Sequence, residues 1–82
     1  MILAAAIKGG SGQIYSLPPP ARHHDIFRIM NKTERTNHIQ GFIDNKLGFI
    51  DRHTAYSIVR QQNQKLIRKT HPLDELFSED LW

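Results

Sequence analysis

Apolar positions fall in short groups along the chain, and their spacing changes from one group to the next. Ile2 to Ile7 is a continuous apolar run, while Gln13 to Leu17 alternates, so that Ile14 and Ser16 face opposite Tyr15 and Leu17. Between them, Lys8-Gly9-Gly10-Ser11-Gly12 supplies glycines that reach the positive φ of a hairpin loop. The pattern predicts a β-hairpin over 2–17, closed by Pro18-Pro19-Pro20, which has no amide donors to continue a ladder. Then the period lengthens. His23, Ile26, Phe27 and Met30 share one stripe, Ile29 widens it, and a helix is predicted over 22–31 with prolines favourably placed before it.

Residues 31–40 are polar apart from Ile39 and read as a loop, the best candidate for mobility. Gly41-Phe42-Ile43 and Leu47-Gly48-Phe49-Ile50 flank the turn signal Asp44-Asn45-Lys46, which predicts a second hairpin over 41–50. Gly-Phe-Ile-Asp occurs at 41–44 and again at 48–51, as two strands of one hairpin would give. Asp51 is a good N-cap for a helix over 52–64, with Ala55, Ile58, Val59, Gln62 and Leu66 on its apolar face and Asn63 suited to a left-handed cap. Thr70-His71-Pro72 breaks the chain and leaves a tail, 73–82. The fold predicted is α+β: two short β-hairpins in one antiparallel sheet, packed with two α-helices, and an ordered C-terminal tail. Phe49 and Ile58 are expected in the core where the second hairpin meets the second helix. Phe27, Phe42 and Tyr56 also read as core, not as a base-stacking platform.

Eighty-two residues suffice for a single domain, since a second core needs about 50 more. There is no cysteine, so disulfides and thiolate metal sites are excluded, and oligomerisation gains weight as the means of supporting so small a core. The apolar start, Met1 to Ile7, is too short for a signal peptide core or a membrane span. Charge is unevenly distributed. Residues 1–73 carry all eleven Lys and Arg against four acids, a balance of +7, while 74–82 carry four acids and no base. Such a body favours anionic partners, and the acidic tail can compete for it.

Candidate chemistry gathers at Arg22-His23-His24-Asp25, at the start of the first predicted helix, where free amides and the dipole favour phosphate or carboxylate. Arg22 adds a bidentate fork, and Arg28 shares a face with His24, so Arg22, His24 and Arg28 are expected to converge. Arg52 and His53 repeat the situation at the second helix. In the plainer alternative His23 faces the core, His24 the solvent, and Asp25 complements the helix dipole. Adjacent histidines on a helix cannot chelate one metal by themselves, so no metal and no cofactor are expected. Phosphoester cleavage would need a second element opposite the first, from His53 or His71. Lys65, Arg68, Lys69 and His71 form a basic run without interleaved aromatics, so nucleic-acid binding is not favoured. In the tail, Phe77, Leu81 and Trp82 stand among acids and are expected to dock on the domain or on a neighbouring subunit.

The chain resembles a group of small proteins encoded by bacteriophages, largely of unassigned function. The resemblance rests on Ala4-Ala5-Ala6-Ile7-Lys8, Ala21-Arg22-His23-His24-Asp25-Ile26, Gln40-Gly41-Phe42, Gly48-Phe49-Ile50-Asp51-Arg52 and Leu76-Phe77-Ser78-Glu79-Asp80-Leu81-Trp82. The chain departs from the pattern at Asn63, where relatives often carry glycine, and at His53-Thr54, where they carry acidic residues. The resemblance implies a phage product acting in the cytoplasm of an infected bacterium. Small phage proteins that are not enzymes often counter host immunity, by sequestering a nucleotide signal or by blocking a defence protein. The leading expectation is therefore a counter-defence binding protein, homo-oligomeric and not membrane-bound. It would hold an anionic nucleotide-type ligand at Arg22, His23, His24, Asp25, Arg28 and Arg52, with no catalytic residue. An inhibitor of a host defence protein comes second and a small phosphoesterase third.

Overall fold

The structure is a computed structural model that describes residues 1–67 and 75–82. Its framework is one antiparallel sheet of four strands, in the order β2-β1-β3-β4: β1 is Ile2–Lys8, β2 Ile14–Ser16, β3 Ile39–Asp44 and β4 Gly48–Asp51. Helices α1 (His23–Ile29) and α3 (Arg52–Gln62) pack on one face, and a short helix, α2 (Lys32–Arg35), joins α1 to β3. The fold is α+β, with both hairpins and both main helices where the hydrophobic pattern puts them.

The core lies between the sheet and the two main helices. Ile2, Ala5, Ile7, Phe42 and Ile50 from the sheet meet Ile26 and Met30 from the first helical segment and Ala55 and Val59 from α3. Alternation along β1 and β3 assigns Ala5, Ile7, Phe42 and Ile50 to one face, because Ala5 pairs with Phe42 and Phe42 with Ile50, and a register shift between Ile2 and Ala4 lets Ile2 join them. The same register corrects one expectation. Phe49 neighbours Ile50 and so points to the opposite face, and it is half-buried and outside the core cluster. Ile58 is half-buried and packs against the core edge. Gln62, the last residue of α3, is exposed, and so is Ile29, the last of α1, at 56%.

Residues 31–40 are more ordered than their polarity predicts. Met30 turns extended and ends α1 short of Asn31, whose side chain accepts the Glu34 amide and caps α2. Glu34 is buried, and its carboxylate accepts from the Ser11 amide and hydroxyl and from the Tyr15 hydroxyl at 2.9, 2.8 and 2.6 Å. The polar segment is therefore tied to the first hairpin. These bonds hold the Glu34 pKa below its ordinary value and raise that of Tyr15.

In the second hairpin, Asp44 is buried in the turn and accepts from the Lys46 and Leu47 amides, while Gly48 takes φ +76°. The Asp51 side chain accepts the Thr54 amide at 2.8 Å, and Asn63 closes α3 with φ +54°, both as expected. Gln64 then clamps the main chain of Ile2 with both ends of its amide. The tail folds back: Leu76 and Asp80 are fully buried, and Leu81 and Trp82 pack against the core. The predicted break at Thr70-His71-Pro72 and most of the basic run (Arg68, Lys69, His71) lie outside the described residues.

Candidate functional site

The tail closes one side of a cleft of about 370 Å³ whose other walls are one side of α1 from Arg22 to Phe27, the start of β3 at Gln40 and the start of α3. Of the candidate residues, Arg22, His23, His24 and Arg52 line it; Asp25 and Arg28 do not. Asp25 works locally, accepting the Arg22 amide at 2.9 Å and lying 3.3 Å from His24 Nε2. Its carboxyl is held below the ordinary range first by that amide and then by the nearby cations, against the effect of burial. Arg28, in the last turn of α1, is exposed, and the expected convergence of Arg22, His24 and Arg28 does not form.

His23 faces the core, as in the plainer alternative. It is 7% exposed, its Nε2–H donates to the Gly41 carbonyl at 2.7 Å, and its ring meets Phe42 edge-on at 5.2 Å. Burial lowers its pKa from 6.5, Arg52 and His38 add to that, and the Gly41 carbonyl and Glu79 oppose it. His24 is exposed at the cleft mouth. Arg22 is already engaged: Nε and Nη2 both donate to the main-chain oxygen of Trp82, at 3.1 and 2.5 Å, while the Trp82 indole donates to the Ala21 carbonyl at 2.8 Å. The expected docking of the aromatic tail is thus seen within the chain. The same fork that was expected to hold a ligand fastens the last residue.

Arg52 is the most unusual group in the cleft. It is the first residue of α3, and its guanidinium carbon lies 4.4 Å from the ring centre of Phe77. Nη2 donates to Gln40 Oε1, but Nε is buried and has no partner, the only such side-chain atom among the described residues. Burial weakens its hold on its proton, against the pull of Glu75 and Glu79, although an arginine stays charged. Gln40 in turn reaches His38 Nε2 at 3.3 Å, and His38 Nδ1–H donates to the Arg35 carbonyl at 2.7 Å. A hydrogen-bonded chain therefore runs from Arg52 to α2 and sets the Gln40 amide and the His38 tautomer.

The sequence pattern gave no reason to single out Gln40, Ser78 or Glu79 as cleft residues, and Phe77 was expected only at an interface. The one available signal was that Gln40-Gly41-Phe42 and Leu76 to Trp82 belong to the segments carrying the family resemblance. His53 lies instead in a neighbouring cavity of about 380 Å³ with Asp51 and Glu75, across the Arg52–Gln40 pair. His71, the other expected acid–base partner, is outside the described residues.

Among the described residues, no helix is long and apolar enough to cross a membrane. Comparison with curated proteins found no significant match, and comparison with solved structures found none. A family model described as the Phage T4 y16D protein matches residues 1–82, from the first strand to the docked tail, so the chain belongs to that family of phage proteins.

Proposed function

We propose that the protein binds an anionic, nucleotide-type ligand in the cleft beside Arg52. In an infected bacterium it would act as a counter-defence sponge, holding a nucleotide signal such as a cyclic nucleotide intact in the host cytoplasm. The observation that carries this reading is Arg52 itself, a half-buried cation at a helix start with one donor unpaired. A phosphate oxygen reaching that guanidinium would remove the cost of burying a donor without an acceptor. Phe27 and Phe77 border the same cleft and offer aromatic surface to a base. Binding is favoured over cleavage because His23, the buried histidine of the cleft, is committed to the Gly41 carbonyl.

The test is to incubate the purified protein with a panel of cyclic oligonucleotides and ADP-ribose derivatives, then denature it and analyse what is released. Intact ligand supports the sponge, altered ligand means an enzyme, and no retention turns attention to a host defence protein as the target. Arg52→Gln should weaken binding roughly tenfold to a hundredfold, about 1.5–3 kcal/mol for a charged hydrogen bond, with the melting temperature kept or raised.

A further inference from the structure

We infer, resting on the nucleotide reading above, that Glu79 is the specificity-determining residue of the cleft beside Arg52 and selects guanine as the base of the bound nucleotide. Phosphate binding at Arg52 leaves one feature of the cleft unused, a carboxylate facing the same space as the cations.

The fold presents Glu79 on a firm support. It is the middle residue of a 3-10 turn, Ser78–Asp80, whose two other side chains are buried, at 2% and 0% exposure. Asp80 fixes that turn. Its carboxylate accepts the Phe77 amide at 3.0 Å, its amide donates to the Phe77 carbonyl at 2.9 Å, and its carbonyl accepts the Ile67 amide at 2.8 Å. Glu79 is half-buried and lines the cleft together with Arg22, His24 and Arg52. Its charge reaches Arg52 and His23 and opposes the effect of burial on both. Among the described residues, its carboxylate nevertheless makes no ion pair and accepts no hydrogen bond.

The cleft therefore holds an open donor, Arg52 Nε, and an open acceptor, the Glu79 carboxylate. A ligand that satisfies both carries an anion for the first and N–H or O–H donors for the second. Inorganic phosphate meets only the first and is repelled by Glu79. In a nucleotide the phosphate supplies the anion, and the donors come from the base or the sugar. Phe27 and Phe77 border the same space, so the group beside Glu79 is the flat base. Two carboxylate oxygens side by side accept best from two parallel donors. Guanine has them on one edge, N1–H next to the N2 amino group. Adenine and cytosine set a ring-nitrogen acceptor beside the amino group, and uracil flanks its one N–H with carbonyls. A carboxylate facing those bases meets a lone pair and rejects them.

The test is calorimetric titration of the whole chain with cyclic GMP, cyclic IMP and cyclic AMP, which share phosphate and ribose and differ only in the base. Hypoxanthine, the base of cyclic IMP, keeps N1–H and lacks the N2 amino group. Affinity should fall in that order, by roughly tenfold or more from cyclic GMP to cyclic AMP. Glu79→Gln, at a side chain with no hydrogen bond to lose, should melt as the native chain does. It should bind cyclic GMP more weakly and cyclic AMP at least as well, since an amide both donates and accepts. Equal affinity for the three in the native chain, or a preference for cyclic AMP, overturns the inference and leaves nucleotide binding in place. The native order kept unchanged in Glu79→Gln overturns it as well, because another group then reads the base. Failure of all three to bind removes the nucleotide reading and the guanine assignment together. Should Glu79→Gln fail to fold, the native order of the three ligands still decides.

Discussion

His23 sits where two requirements meet: a helix stripe that must be buried, and a ring that must keep a hydrogen-bond partner once buried. The Gly41 carbonyl meets the second by holding a proton on Nε2, while burial favours the neutral ring. Its pKa is lower folded than unfolded, so between the folded value and 6.5 the unfolded chain binds more protons. Stability from this group is therefore complete above 6.5 and is lost as pH falls through that interval. Melting temperature should fall from about pH 7 to about pH 5, and His23→Gln, which can still donate to Gly41 but cannot titrate, should flatten the slope. An equal slope in both proteins would show that another group is responsible. Asp44 does not confuse the reading. Held at about 2 chiefly by the Met1 amino group, it costs stability only as pH falls below 3.8. The sequence alone allowed two roles for His23, because a stripe position says that a side chain is buried and not what it meets there. Arg52 was legible as a cation at a helix start. Its unpaired Nε was not, since that depends on Gln40 and on Phe77, far away in sequence.

Among the elements, the second hairpin shows most clearly what a pattern can and cannot say. Gly-Phe-Ile-Asp appears in both of its strands, and the antiparallel pairing of Phe42 with Ile50 puts the two phenylalanines on opposite faces. Composition was enough to identify the hairpin. Which phenylalanine entered the core depended on the register, where a shift of one residue exchanges the faces. The consequence is an asymmetry between two chemically identical truncations. Phe42→Ala should cost about 3–5 kcal/mol and leave little folded protein, because Phe42 is fully buried against His23 and the helices. Phe49→Ala, at a half-buried ring outside the core cluster, should cost well under half of that. Equal losses in urea melts would mean that the register is misassigned. The 31–40 segment was misread for a different reason. Its order comes from Asn31 capping and from Glu34 reaching Ser11 and Tyr15, and polar contacts of that kind leave no hydrophobic period to detect.

For the molecule as a whole, the question is what the acidic, aromatic tail contributes. Leu76 and Asp80 are fully buried, the Leu76 amide donates to the Arg52 carbonyl, and Trp82 is held by Arg22 and Ala21. Deleting residues 76–82 removes at least one fully buried leucine, worth roughly 1.5–3 kcal/mol, along with Phe77, the stacking partner of Arg52. The truncated chain should melt lower and lose ligand retention together. Trp82 emission in the intact protein should be blue-shifted and only partly open to quencher. A fully quenchable Trp82, with unchanged melting after truncation, would make the tail a displayed peptide instead.

The pinning of residue 82 to residue 22 also orders events in time. Its hydrogen bonds span about sixty positions of sequence, as do those from Gln64 to Ile2, so the loops they close take in about three quarters of the chain. Contacts so distant are entropically expensive to make early, and they form after local hairpins and helix caps have shortened the search. The cleft beside Arg52 takes its last wall from that final closure. During synthesis no amount of correct folding in the first sixty-seven residues can produce it, and the cleft is complete only once Phe77, Ser78 and Glu79 have left the ribosome.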